Sequence, residues 1–228
     1  MPDYTAKLLE VYLDENGETA GRLAFPAGAV FRPGQYFLAQ PIHQPVAYAE
    51  ALFPVSLPGP EVTVAAPLPP AWQPGIELAV SGPLGNGFHL PPAARRVALA
   101  ARYNGGRLRA LLELALAQGA DVTLYLTGLP AELPVLVEVQ PFDQLAAALA
   151  WADYLAVDVP LDQLNRLNIW LGLDRGRAVP IPVEVLLGGS FPCGGLAECG
   201  VCAVETRRGY KLACKDGPVF YWKDLELS

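Results

Sequence analysis

The chain has 228 residues, of which 52% are hydrophobic and 17% charged. This composition excludes a disordered polypeptide, which combines low hydrophobicity with high net charge. Sixteen basic against 23 acidic residues give a formal net charge of -7, which disfavours nucleic-acid binding because phosphate neutralisation supplies most of that affinity. No apolar run reaches the roughly 18 residues of a membrane span, and the N-terminus lacks the basic-then-apolar order of a signal peptide. We therefore expect a cytoplasmic protein with no membrane or nucleic-acid partner.

Residues 1–92 contain short apolar segments separated by Gly and Pro clusters, a punctuation that is typical of β-strands. Strands at this density favour a small antiparallel β-barrel. The predicted strands cover residues 4–13, 18–25, 34–40, 49–57, 61–66 and 76–82.

Residues 93–186 change to alternating strand and helix patterns, which predict an α/β domain with a parallel sheet. The first helix has apolar residues at helical spacing, and Gly119 marks its end. The predicted strands cover residues 95–101, 121–128 and 153–159, and the predicted helices cover residues 105–119, 143–151 and 161–171.

The cysteines of the chain all fall within 22 consecutive residues of the C-terminal segment, with the spacing C-x5-C-x2-C-x11-C. In a cytosolic protein such clustering indicates metal or redox chemistry rather than structural disulfides. Thiolate sulfur is a soft ligand that suits iron–sulfur clusters or zinc. The predicted metal ligands are Cys193, Cys199, Cys202 and Cys214.

The residues between the cysteines favour a [2Fe–2S] cluster over zinc. Three cysteines on short spacers with a fourth from downstream form the plant-type [2Fe–2S] pattern, whereas a zinc ribbon usually has two C-x2-C pairs. Gly194, Gly195 and Gly200 let the backbone wrap a cluster closely. Zinc, or a redox or purely structural cysteine group, remains the alternative.

Residues 193–220, CGGLAECGVCAVETRRGYKLACKDGPVF, closely resemble the end of the electron-transfer subunit of class 1B dihydroorotate dehydrogenase. This subunit is a ferredoxin reductase-like flavin and [2Fe–2S] protein. Residues 82–88, GPLGNGF, and residues 33–36, PGQY, match the same family more weakly. The resemblance implies a flavin-binding-type β-barrel over residues 1–92, a degenerate NAD-binding-like α/β domain over residues 93–186 and a [2Fe–2S] module over residues 187–228.

The resemblance also implies a function. The chain would relay electrons one at a time from the FMN of a dihydroorotate dehydrogenase-type catalytic subunit, through the cluster, to FAD or another acceptor in pyrimidine biosynthesis. It would work in a hetero-oligomer and have no complete active site of its own. Two alternatives stay open. One is an NAD(P)H:acceptor reductase module of another redox complex, such as a soluble hydrogenase, and the other is a non-enzymatic assembly subunit that holds zinc.

The flavin motifs implied by the resemblance are altered in this sequence. The family has Arg-Pro-x-Ser where this chain has Phe at the first position, and Phe cannot neutralise a diphosphate as the planar fork of Arg does. The family's Gly-Thr phosphate turn corresponds to Ala66 and a proline-rich stretch, and prolines donate no backbone N–H. FAD retention is therefore open, and its implied contacts are Phe53, Pro54, Val55, Ser56, Gly82, Pro83 and Leu84.

The pyridine-nucleotide motifs are altered further, and we expect no NAD binding. The family's Gly-Gly-Gly-Ile-Gly turn becomes Arg102, Tyr103, Asn104 and two glycines, and a G-x-G-x-x-G fingerprint is absent. The family's Cys-Gly-Pro, which lies near the nicotinamide, becomes residues 158–160, Asp-Val-Pro. We expect Arg102 and Arg107 to be solvated loop charges rather than replacement phosphate ligands.

Overall fold

The computed structural model describes residues 3–14, 18–25, 30–43, 49–65, 67–103, 105–128, 133–173, 179–189, 191, 193 and 195–227. Ala66, Asn104 and Gly194, which the sequence analysis singles out, lie outside the described residues. Within those residues, no helix has both the length and the apolar character needed to cross a bilayer.

The N-terminal region forms a six-stranded antiparallel sheet in the order β4-β3-β6-β1-β2-β5. The two edges of the sheet are linked by backbone hydrogen bonds. The Val55 amide donates to the Thr63 carbonyl and the Ala65 amide donates to the Phe53 carbonyl, each over 2.8 Å. The sheet thus curls around its own apolar core, as the predicted barrel requires. Its strands are β1 (Asp3–Leu13), β2 (Thr19–Ala24), β3 (Tyr36–Pro41), β4 (Glu50–Leu52), β5 (Glu61–Val64) and β6 (Glu77–Leu84).

The second region forms a six-stranded sheet in the order β14-β11-β10-β7-β8-β9, in which all pairings except β11 with β14 are parallel. Its strands are β7 (Arg96–Ala101), β8 (Asp121–Leu126), β9 (Val137–Pro141), β10 (Tyr154–Pro160), β11 (Val183–Gly188) and β14 (Val219–Tyr221). Its helices are α1 (Arg109–Ala117), α2 (Ala148–Trp151) and α3 (Leu167–Trp170), each of which continues a 3-10 helix: Gly105–Leu108, Phe142–Ala147 and Leu161–Arg166.

The C-terminal segment contains a hairpin of β12 (Ala203–Thr206) and β13 (Gly209–Leu212), followed by the short helix α4 (Ala213–Asp216). The chain then returns to the second sheet as β14, and a 3-10 helix, Trp222–Asp224, follows it. The larger apolar core is continuous from the parallel sheet into this segment, because it includes Cys202 and Cys214. The cysteine module is thereby anchored on the second sheet.

The expected mixed fold, with an antiparallel sheet, a parallel sheet and a cysteine module, is confirmed. Three strands of the second sheet, β9, β11 and β14, are additions to the predicted elements. The helix predicted at 105–119 begins as a 3-10 turn and ends before Gly119, whose φ of 76° only glycine adopts easily. The domain boundaries at 92 and 186 stay predictions.

Candidate iron–sulfur site

The four cysteines come from a loop and a helix at the junction of the hairpin with the parallel sheet. Cys193 is half-buried and Cys199 is exposed, whereas Cys202 and Cys214 are buried. They lie in two hydrogen-bonded pairs: the Cys199 thiol hydrogen-bonds to the sulfur of Cys193, and the Cys214 thiol hydrogen-bonds to that of Cys202. All four are free thiols.

Backbone N–H groups converge on the sulfur of Cys193. The amide of Glu198, then that of Cys199 and more weakly that of Ala197 lower the pKa of Cys193 to about 6. Ala197 adopts a left-handed φ of 63°, which helps to turn these amides inward. Donors of this kind stabilise anionic sulfur and tune the potential of iron–sulfur clusters, so the loop fits such a group.

Burial has the largest effect at the sulfur of Cys214. It raises the pKa of Cys214 to about 12, and the hydrogen bond to Cys202 acts in the same direction. Among the described residues, no three Cys, His, Asp or Glu side chains converge at the spacing that a single metal ion requires. The Ala197 amide acts on the sulfurs of both Cys193 and Cys214, so the four cysteines belong to one site, and four thiolates are the ligand number of a [2Fe–2S] cluster.

The three sequence motifs of the resemblance meet beside this site. Gln35 Nε2 donates to the Gly85 carbonyl over 2.8 Å, and Asn86 Nδ2 donates to the Asp216 carbonyl over 2.6 Å. The close approach at Gly85 requires glycine, because a Cβ there would lie 2.3 Å from the Gly217 carbonyl oxygen. The PGQY and GPLGNGF segments of the first sheet therefore hold the helix that carries the fourth cysteine.

Tyr36 connects the first sheet to the cysteine module directly. It is fully buried, and its hydroxyl donates to the Cys214 carbonyl over 2.7 Å. Its ring lies 5.1 Å from that of Phe191 and 5.7 Å from that of Phe53, measured between centroids. Burial, with further contributions from the neighbouring cysteines, raises the pKa of Tyr36 well above its usual value, so this hydroxyl stays protonated and donates.

The implied flavin contacts fall into two groups, residues 53–56 after the edge strand β4 and residues 82–84 at the end of the internal strand β6. Phe53 and Val55 are buried, Pro54 bridges to β5, and the Ser56 hydroxyl accepts from the Thr63 amide over 3.2 Å. Phe53 offers no charge to the pyrophosphate of FAD, whereas the Ser56 hydroxyl keeps its own O–H as a donor. The role of these four residues as flavin contacts stays a prediction.

The remaining implied flavin contacts, Gly82, Pro83 and Leu84, close β6. Gly82 packs tightly, because a Cβ there would lie 2.7 Å from a ring carbon of Phe37. The Gly82–Pro83 peptide bond is cis, and Leu84 packs against the larger core. This segment positions residues 85–88 against the cysteine module.

The expectation that Arg102 and Arg107 are solvated loop charges is wrong. The Arg102 guanidinium lies 5.5 Å from the Phe142 ring centroid and 5.9 Å from that of Trp170, and Nη1 donates to the Thr127 hydroxyl over 2.8 Å. Arg107 is paired with Asp158, which is buried. Aromatic stacking and ion pairing therefore hold both side chains against the protein.

An antiparallel sheet, a parallel sheet and a C-terminal four-cysteine segment together form a ferredoxin reductase-like fold. Residues 193–226 match the family model described as the iron-sulfur cluster binding domain of dihydroorotate dehydrogenase B. The chain is 26% identical to the electron transfer subunit of dihydroorotate dehydrogenase B (NAD(+)) from Clostridium perfringens over 171 residues, 67% of this chain and 68% of that protein. The resemblance found in the sequence is thus confirmed.

Solved structures share the fold over almost the whole chain. A chain of the NADH-dependent reduced ferredoxin-NADP oxidoreductase superposes with a TM-score of 0.72 at 15% identity, covering 97% of this chain and 89% of that one. Phthalate dioxygenase reductase superposes with a TM-score of 0.60 at 13% identity, covering 93% of this chain and 77% of that one. At these identities the likeness establishes the fold.

Sequence reasoning missed the residues that tie the cysteine module to the two sheets. The hydroxyl of Tyr36, the amide of Asn86 and the side chain of Gln35 act across long sequence separations. The only signal for them is that each lies inside one of the matched motifs.

Proposed function

We propose that the chain is the electron-transfer subunit of a dihydroorotate dehydrogenase-like complex. With a [2Fe–2S] cluster bound by Cys193, Cys199, Cys202 and Cys214, it would relay electrons one at a time from the FMN of a catalytic subunit to a further acceptor. The chain itself supplies the ligands, the amide donors and the anchoring of the site. The observation that carries the proposal is the pairing of four thiols within the segment that matches the cluster-binding family model.

The surface around the cysteines supports docking of a partner subunit. Leu196 and Val201, in the same loop as the exposed Cys199, are exposed by 68% and 60%, and Tyr210, on the hairpin that follows, is exposed by 74%. Apolar and aromatic side chains of this kind are enriched at protein interfaces, and electron transfer needs a short path between redox groups. We therefore place the catalytic subunit over this face, in a hetero-oligomer.

Two further parts of the proposal rest on chemistry. Four free thiols suit a reducing compartment, so we place the complex in the cytoplasm. Phe53 stands where an arginine would neutralise the pyrophosphate of FAD, so we assign the acceptor that follows the cluster to a carrier outside this chain. Flavin quantitation of the purified protein tests that assignment, and stoichiometric bound FAD would overturn it.

The proposal is tested by co-purification of the chain with an FMN-containing dihydroorotate dehydrogenase subunit. We expect the partner to reduce the cluster when dihydroorotate is added under anaerobic conditions, as seen by bleaching of the visible absorbance. The matched control replaces exposed Leu196 and Tyr210 by aspartate, which should weaken the complex and leave the cluster spectrum unchanged. A loaded cluster that no such partner reduces would contradict the dihydroorotate assignment while leaving the cluster in place.

A further inference from the structure

The parallel sheet has a topological switch point between β7 and β10, from which the strand order runs outward in both directions. Ligands of open α/β sheets bind in the crevice at the carboxyl ends of such strands. Asp158 lies at this edge, in register with Ala101, the last residue of β7. A dinucleotide bound by this sheet would therefore lie over Asp158.

The side chain of Arg107 fills this crevice. The 3-10 turn after β7 returns its guanidinium over the sheet, where Nε and Nη2 donate to the two carboxylate oxygens of Asp158 over 2.9 and 2.6 Å. The guanidinium carbon lies 5.3 Å from the ring centroid of Phe53, a cation–π distance. Gly188, at the end of β11, closes a further side, because a Cβ there would lie 2.2 Å from each terminal nitrogen.

We propose that Phe53, Arg107 and Asp158, here called the crevice triad, are an internal occupant that prevents this chain from binding a pyridine dinucleotide. The space over Asp158 is taken by a side chain that is only 23% exposed. The charge of Arg107 is neutralised by a bidentate carboxylate, which weakens its attraction for a phosphate. The triad thus blocks the crevice both sterically and electrostatically.

The members of the triad depend on one another although they lie far apart in the sequence. An arginine at position 53 would face Arg107 with a like charge, whereas the Phe53 ring offers a surface that attracts a cation. Arg107 in turn neutralises the buried carboxylate of Asp158. The altered flavin motif, the altered glycine turn and the altered Cys-Gly-Pro segment therefore meet in one place. The inference goes beyond the proposed function, since it concerns the second sheet and adds that the acceptor is not NAD bound to this chain.

The test measures NADH binding to the cluster-loaded protein by fluorescence titration and calorimetry. The crevice variant is Arg107→Ala with Asp158→Ala, and the matched control is Arg96→Ala with Asp153→Ala. The control removes an ion pair of the same type at the opposite ends of the same two strands. A third variant, Arg107→Met with Asp158→Leu, removes the charges and keeps the crevice filled.

We expect the wild type, the control and the filled variant to show no saturable binding at millimolar NADH. The crevice variant should bind NADH saturably, with a Kd at least about tenfold below that concentration. Saturable binding to the wild type overturns the inference, whatever the variants do. A well-folded crevice variant that binds no better than the control overturns the role of the triad. Iron content is measured on the same samples, so a failure of the cluster assignment is seen separately.

Discussion

The hydroxyl of Tyr36 donates a 2.7 Å hydrogen bond to the carbonyl oxygen of Cys214, across 178 residues of sequence. One contact thus joins the first sheet to the helix that carries the fourth cysteine. Because both groups are buried, neither can exchange this bond for one with water. The first sheet therefore acts as a scaffold for the cysteine module.

Replacing Tyr36 by Phe tests this scaffold. The carbonyl of Cys214 would lose its donor inside the protein, which costs about 1–3 kcal/mol of unfolding free energy. We expect the variant to release its iron at a lower denaturant concentration than the wild type, as measured by the loss of visible absorbance. Tyr12→Phe on the exposed face of β1 is the control, and equal effects of the two substitutions would contradict a specific role for Tyr36.

Cys193 should be the most reactive thiol of the cluster-free protein. Its pKa of about 6, set chiefly by the Glu198 amide, makes it largely thiolate at neutral pH, and the thiolate is the form that is alkylated. Mass spectrometry after brief iodoacetamide treatment should find Cys193 modified first, with a rate that falls as the pH drops through 6. Faster modification of Cys199, which is more exposed, would show that solvent exposure rather than the thiol pKa determines the order of alkylation.

Removing the charge of Arg107 alone should destabilise the protein strongly. Asp158 would be left buried and unpaired, and such a change costs about 3–5 kcal/mol. Arg107→Ala combined with Asp158→Ala should recover part of that loss, as measured by chemical denaturation in a double-mutant cycle. Arg96→Ala, which breaks an exposed pair, should have a much smaller effect. Additive losses in the cycle would mean that Arg107 and Asp158 are not coupled.

The second sheet should lose stability in acid through Asp153. Hydrogen bonds from the Arg96 side chain first, then from the Arg95 and Arg96 amides, lower the pKa of Asp153 from 3.8 to about 2. The stabilisation is complete above the unfolded-state value of 3.8 and is lost as the pH falls toward 2. The measurement compares the Tm of Asp153→Asn with that of the wild type as a function of pH. We expect the wild type to have the higher Tm above pH 3.8 and the difference in Tm to close as the pH falls toward 2. A difference in Tm that does not change with pH would refute the account.

Local patterns predicted much of the fold. The apolar spacing of residues 108–116 predicted a helix where α1 lies, and the strand patterns of the first region predicted β1 to β6 approximately. The edge strand β9, which is five residues long and half-exposed, was missed although residues 137–140 alternate apolar and polar side chains. Burial of β11 was obscured by Glu184, a charged residue in an otherwise apolar run.

Glu184 also shows why the rest could not be predicted. It is buried, and its carboxylate accepts from the hydroxyl of Tyr154 and from the backbone and ring N–H of His89. Those partners lie 30 and 95 residues away in the sequence. The same holds for Arg107, whose partner Asp158 is 51 residues away. Spacing predicted the cysteine ligands, whereas pairings across the fold required the structure.

The most direct measurement is metal and sulfide analysis of protein purified without oxygen, combined with electron paramagnetic resonance after dithionite reduction. We predict two irons and two acid-labile sulfides per chain, with the spectrum of a reduced [2Fe–2S] cluster that is lost when Cys193, Cys199, Cys202 or Cys214 is replaced by Ser. Stoichiometric zinc with neither iron nor sulfide would contradict the account.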